Sequence, residues 1–326
     1  MILQTLDRLP LLLLGVLLAF VSPPRPQYQV VHGWPELPEG KLLGHVTGIG
    51  VNSRNEVFVF RRAENSVSSG TPTQPIAGPA VMVFAAASGK LITSWGEGKF
   101  TLPHGLTIDA EDNVWVTDVA LHQVLKFDRS GKLLMTIGER GVPGLDERHF
   151  DKPTDVAIAA DGAVYVGDGY GNSRVAKFSR TGEFLLAWGT KGKEPGQFDN
   201  PHSVALDGAG RVYVADRFND RVQIFDERGK YLTEWKGDQF GRPWAVRAAR
   251  DGGIYVVDGG FQPDPITGRA RVLKVDREGK LLEAFGRFGN YDGQFVAPHA
   301  FALAPDGAIY VGDVSTGMRV QKFVRR

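Results

Sequence analysis

Three of the seven histidines in this 326-residue chain stand in one short pattern, Pro-His followed by an apolar stretch, at Pro103-His104, Pro201-His202 and Pro298-His299. Each lies ten residues before a second apolar run and fourteen before an aspartate: Val114 and Asp118, Val212 and Asp216, Ile309 and Asp313. Three histidines with an open fourth position are the donor set of a catalytic zinc. A single Pro-His would read as a turn that caps a strand. Three in one register read as His104, His202 and His299 holding one zinc ion together.

The register continues where the histidine is absent. Thr154 precedes Val164 and Asp168, Trp244 precedes Ile254 and Asp258, and Thr47 precedes Val57, with Arg61 where the others have aspartate. That makes six units, with the histidine in the second, fourth and sixth. Each unit holds short alternating runs separated by Asp/Gly turns; the second unit reads HGLTID, NVWVTD, QVLKFD and LLMTIG. Four short strands per unit, repeated at even spacing, describe the blades of a β-propeller. The sixth unit ends at Arg326 without its fourth strand, and Tyr28–His32 (YQVVH) is a spare one. The expectation is an all-β, six-bladed propeller over residues 26–326, closed by that N-terminal strand so that no edge is left open. In a six-fold ring alternate blades stand about 120° apart, so the three imidazoles would converge on the axis.

The first strand of a blade runs antiparallel to the second, so the start of one lies beside the end of the other. Counting from the histidine position, Arg62 and Arg217 stand at +15 and Tyr170 at +16 of their units. All three should face the same channel mouth as the histidines. Arginine suits a carboxylate through its bidentate fork. A tyrosine near a cation ionises more easily and serves as a base. The aspartates at +14 recur in five of six units, so they serve the blade by bonding turn amides rather than the chemistry. His32, His45, His122 and His149 fall outside the register and read as structural.

Composition bounds the rest. With 38 basic and 37 acidic residues the formal charge is +1, and nothing suggests a nucleic-acid or acidic-lipid partner. The absence of cysteine removes thiol nucleophiles, cysteine zinc sites and disulfides. Leu9–Val21 (LPLLLLGVLLAFV) is too short to span a bilayer comfortably but has the length of a signal-peptide core. Residues 1–25 therefore read as a secretory signal, or alternatively a short uncleaved anchor, followed by a PPRP linker. The chain would then be exported, periplasmic or secreted, with no membrane span beyond that segment.

The runs LPHGLTID, WVTDVALHQVLKFD, HFDKPTDVA, GDGYGNSR, GQFDNPHSVAL and VADRFNDR resemble the peptidyl-α-hydroxyglycine α-amidating lyases, also called peptidylamidoglycolate lyases, among the NHL-repeat propellers. The resemblance spans about residues 42–326. It implies cleavage of the C–N bond of a C-terminal α-hydroxyglycine, or a related α-hydroxy amide, to an amide and glyoxylate. It implies zinc on His104, His202 and His299, Tyr170 as catalytic base, and Arg62 and Arg217 on the substrate carboxylate. It also implies a calcium ion on the backbone carbonyls of Val46 and Leu106. However, the aspartate that serves as its charged ligand in the family is Ala300 here, so calcium is not expected to bind tightly. Two other readings stand beside this one: a propeller hydrolase or lyase acting on another small molecule, and a non-enzymatic NHL propeller that binds a partner on its top face.

Overall fold

The computed structural model describes residues 27–63, 65, 72–260 and 268–326. The apolar run at Leu9–Val21 lies outside them. So do residues 64 and 66–71 of the segment between Ala63 and Pro79, and residues 261–267 of the segment between Gly259 and Gly268.

Among the described residues twenty-four strands form six four-stranded antiparallel sheets. Blade 1 is β2 (Val46–Val51), β3 (Glu56–Arg61), β4 (Val81–Ala85) and β5 (Leu91–Trp95). Blade 2 is β6 (Pro103–Ile108), β7 (Val114–Asp118), β8 (Gln123–Phe127) and β9 (Leu133–Ile137). Blade 3 is β10 (Asp155–Ile158), β11 (Val164–Asp168), β12 (Arg174–Phe178) and β13 (Phe184–Trp188). Blade 4 is β14 (Pro201–Leu206), β15 (Val212–Asp216), β16 (Arg221–Phe225) and β17 (Tyr231–Lys236). Blade 5 is β18 (Pro243–Ala248), β19 (Ile254–Asp258), β20 (Arg271–Val275) and β21 (Leu281–Phe285). Blade 6 takes β22 (Pro298–Leu303), β23 (Ile309–Asp313) and β24 (Val320–Arg325) from the C-terminus and β1 (Tyr28–Val31) from the N-terminus. The expected closure is present: Tyr28 pairs with Arg325 and Val31 with Lys322.

The burial of each strand follows its place in the blade. The second strands are buried along their whole length, because both of their faces meet neighbouring blades. The outer strands alternate, as in Phe184–Trp188, with one face to water. Blades lock through the turn between their third and fourth strands. The Asp128 carboxylate accepts the Ser130 and Lys132 N–H groups, and Gly131 (φ +86°) seats Trp95 of the preceding blade so closely that a Cβ would lie 2.6 Å from the indole. The same glycine–tryptophan contact recurs at Gly229 with Trp188 and at Gly279 with Trp235.

The aspartate column does what repetition implied. Asp118 accepts amide hydrogens from Thr101, Leu102, Ala120 and Leu121, and so ties the entry of its own first strand to the exit of its second. Asp168, Asp216 and Asp258 add arginine partners, Arg174, Arg221 and Arg271.

Candidate metal centre at the channel mouth

The histidines sit on irregularities in the ladder. Pro103 pairs with Asp118 and the next paired residue is Leu106; Pro201 pairs with Asp216, then Ser203; Pro298 pairs with Asp313, then Ala300. Each histidine thus lies unpaired in a bulge, alone in blades 4 and 6 and with Gly105 in blade 2, which breaks the strict alternation and re-aims a side chain. The same break falls at Thr47 in blade 1 and at Trp244 in blade 5, while Thr154 lies just outside the ladder of blade 3.

Each imidazole is then held by its neighbour. The Nδ1 of His202 lies 2.6 Å from the carbonyl oxygen of Trp244, that of His299 lies 3.1 Å from Thr47 O, and that of His104 bonds Thr154 O. These acceptors occupy the histidine's own register position in the next blade. A carbonyl can only accept, so Nδ1 carries the hydrogen in all three rings and Nε2 keeps a lone pair. The ring centroids are 4.6–4.9 Å apart, and one ring nitrogen of each lies within 4.8 Å of the other two. All three rings are buried, and burial first, then the Arg62 and Arg217 guanidiniums and, for His104 and His299, the neighbouring imidazoles, hold them well below the ordinary histidine pKa. They are therefore neutral, as metal ligation requires. The His299 Nε2 is buried with no hydrogen-bond partner. Neutral imidazoles, Nδ1–H groups bound to carbonyls, and an orphaned inward Nε2 together fit a metal of the zinc type.

The other expected residues gather around this triad. The Tyr170 hydroxyl stands 3.0 Å from His104 Nε2 and 3.1 Å from His202 Nε2. Its segment packs tightly on blade 4: a Cβ at Gly169 would fall 2.2 Å from Pro201 O, so only glycine lets Tyr170 approach. Arg62 donates from Nε to Pro103 O at 2.9 Å, while its buried Nη2 has no partner. Arg217 opens a 3-10 turn, Arg217–Asn219, and its guanidinium carbon lies 3.5 Å above the Trp244 ring, with Nε unpartnered. Burial lowers both guanidinium pKa values, opposed by attraction to Tyr170.

Val46 and Leu106 are buried on β2 and β6, but Ala300 brings no carboxylate to them. The carboxylate that does line the channel, Asp155, is bonded to Arg247. A hard cation that needs six to eight oxygens does not fit this donor set.

Sequence reasoning passed over Trp244 as a member of the histidine column without chemistry, although it is both the platform under Arg217 and the orienter of His202. It also passed over Asn200, whose buried side-chain oxygen has no partner beside the Arg217 backbone. The signal for Trp244 was its place in the register; Asn200 had none.

Fold and site together define a six-bladed propeller with a buried three-histidine centre at one mouth of its channel. NHL repeats match residues 100–127, 150–178 and 198–225. Over 318 residues the chain is 32% identical to peptidyl-alpha-hydroxyglycine alpha-amidating lyase 2 of Drosophila melanogaster, covering 90% of this chain and 75% of that protein. The chain belongs to the peptidyl-α-hydroxyglycine α-amidating lyase family and is an enzyme of the lyase class. It is also 38% identical over 304 residues to peptidyl-glycine alpha-amidating monooxygenase A of Xenopus laevis, where it covers 86% of this chain and spans 31% of the relative's length. The fold is shared with a solved streptogramin B lyase (TM-score 0.61, 11% identity, 92% of this chain and 98% of that one).

Proposed function

We propose that the chain is a zinc-dependent lyase that cleaves the C–N bond of a C-terminal α-hydroxyglycine, or a closely related α-hydroxy amide, to release an amide and glyoxylate. The observation that carries this reading is the Tyr170 hydroxyl within 3.0–3.1 Å of two of three convergent imidazoles. His104, His202 and His299 would hold the zinc, which when bound supplies the Lewis acidity that lowers the pKa of a ligated hydroxyl.

The remaining work falls to the chain's own residues. Arg62 and Arg217 present unpartnered N–H groups at the same mouth and would grip the substrate carboxylate, fixing the carbinol carbon beside Tyr170. Tyr170 in its phenolate form would accept the hydroxyl proton; the O–H electron pair becomes the aldehyde C=O, and the C–N pair leaves with the amide nitrogen. The proton taken from oxygen is returned to that nitrogen, so the reaction balances with no further reagent. Burial of the triad excludes water that would compete for the proton.

The test is metal analysis of the purified protein followed by glyoxylate release from α-hydroxyhippurate. Zinc at one equivalent with glyoxylate formation is expected; a metal-free protein with full activity would sink the zinc, and no glyoxylate with zinc present would point to a different substrate. The same reading takes Leu9–Val21 as an export signal, and a mature protein that still begins at Met1 would count against cleavage.

A further inference from the structure

Beneath the triad the channel is lined by Gly105, Asp155, Ser203, Ala245, Arg247 and Ala300. Small side chains dominate, and one charged network crosses the space. Arg247 Nη1 donates to Asp155 Oδ2 at 2.8 Å, to Ser203 Oγ at 3.0 Å and to Val246 O at 2.9 Å, and Nη2 donates to Asp155 Oδ1 at 3.3 Å. Ser203 Oγ donates to Asp155 Oδ2 at 2.7 Å and accepts the Val246 N–H at 3.2 Å. Asp155 Oδ2 also accepts the Val204 N–H at 3.2 Å. Arg247 lines the depression at the opposite mouth as well, with Gly50, Thr107 and Ala302. The guanidinium therefore lies between the triad and the far side of the propeller.

The network joins the inner strands of three consecutive blades, β10, β14 and β18. Its members sit next to the groups that orient the triad. Asp155 follows Thr154, whose carbonyl takes the His104 Nδ1–H; Ser203 follows His202; Arg247 lies three residues along β18 from Trp244, whose carbonyl takes the His202 Nδ1–H.

We propose that Arg247 is the internal cation of the channel: with Asp155 and Ser203 it braces the inner strands of blades 3, 4 and 5 without a divalent ion, and it positions His104 and His202 for their metal. Two independent observations support this. Ala300 puts no side-chain carboxylate next to His299 on the inner strand of blade 6, and the channel carboxylate is already neutralised by a fork of donors. A second cation beside Arg247 would meet repulsion instead of ligands. Arg247 touches no reacting atom, so it is a positioning residue.

The inference rests on the zinc reading for the triad, and its test keeps the two apart. The melting temperature of the metal-stripped wild type should be the same with and without added calcium. Arg247→Gln should lower zinc affinity, read by competition with a chromogenic chelator, by about tenfold or more, as loss of an outer-shell partner does. Arg247→Lys should recover part of it, since the charge returns without the fork. If Arg247→Gln does not fold because Asp155 is left uncompensated, the double variant Asp155→Asn with Arg247→Gln, which removes both charges, takes its place. A calcium-dependent rise in wild-type melting temperature, or unchanged zinc affinity in the variant that folds, overturns the proposal. Failure of the wild type to bind zinc would sink the functional reading instead, and the calcium measurement alone would then decide this one.

Discussion

The Nδ1 of His202 donates to the carbonyl oxygen of Trp244 at 2.6 Å, across the boundary between two blades. The same indole lies 3.5 Å beneath the Arg217 guanidinium, so one residue serves the metal side through its backbone and the substrate side through its ring. The two functions are separable because a substitution changes only the second.

Trp244→Leu should leave zinc content unchanged while raising KM about tenfold, the worth of a desolvated cation–π contact. His202→Ala should lose most of the zinc and most of the turnover. Metal analysis and steady-state glyoxylate release distinguish them; loss of zinc in Trp244→Leu would show that the ring, not the carbonyl, holds His202.

Tyr170→Phe keeps the ring and removes the only oxygen within hydrogen-bond reach of both His104 and His202 Nε2 among the described residues. Turnover should fall by about a hundredfold or more with KM little changed, since the proton carrier is lost and the binding surface is not. Full activity in this variant would remove tyrosine from the mechanism.

Arg217→Ala should raise KM by roughly thirtyfold, the effect of one charge-assisted hydrogen bond of about 2 kcal/mol. Arg62→Ala should do the same and also lower kcat, because its Nε braces Pro103 O immediately before His104. An amide analogue of the substrate, lacking the carboxylate, should bind wild type and Arg217→Ala equally; a retained difference would assign the arginine another role.

Asp313 accepts the Ala297 N–H at 2.9 Å in a buried site, and burial pushes its carboxyl up to about 7. A carboxyl raised in the folded state favours folding most fully below its unfolded value near 4, and that contribution fades as pH climbs through 7. Chemical denaturation of the wild type and Asp313→Asn should therefore show the wild type losing stability relative to the variant between pH 4 and 7, with parallel curves above. Parallel curves across the whole range would mean that the carboxyl is not displaced.

The propeller was legible in the chain because its signals are local. Alternating runs of four to six residues, Asp/Gly turns and a missing sixth-blade strand specify blades whose hydrogen bonds are mostly between neighbours in sequence. The closure of Tyr28–Val31 on β24 followed from counting strands. The convergence of His104, His202 and His299 was legible for the same reason, since a repeat converts register into angle about the axis. The tertiary structure alone decided how those rings are turned. Their acceptors, Thr154, Trp244 and Thr47 O, are backbone atoms of other blades, and any side chain at those positions would provide the same oxygen. Nor could the sequence reveal that Arg247 reaches Asp155 across the channel, 92 residues away. A charged side chain on an inner strand reads the same in sequence whether it meets solvent or a partner, and only the closed ring, by bringing three blades to one axis, sets which.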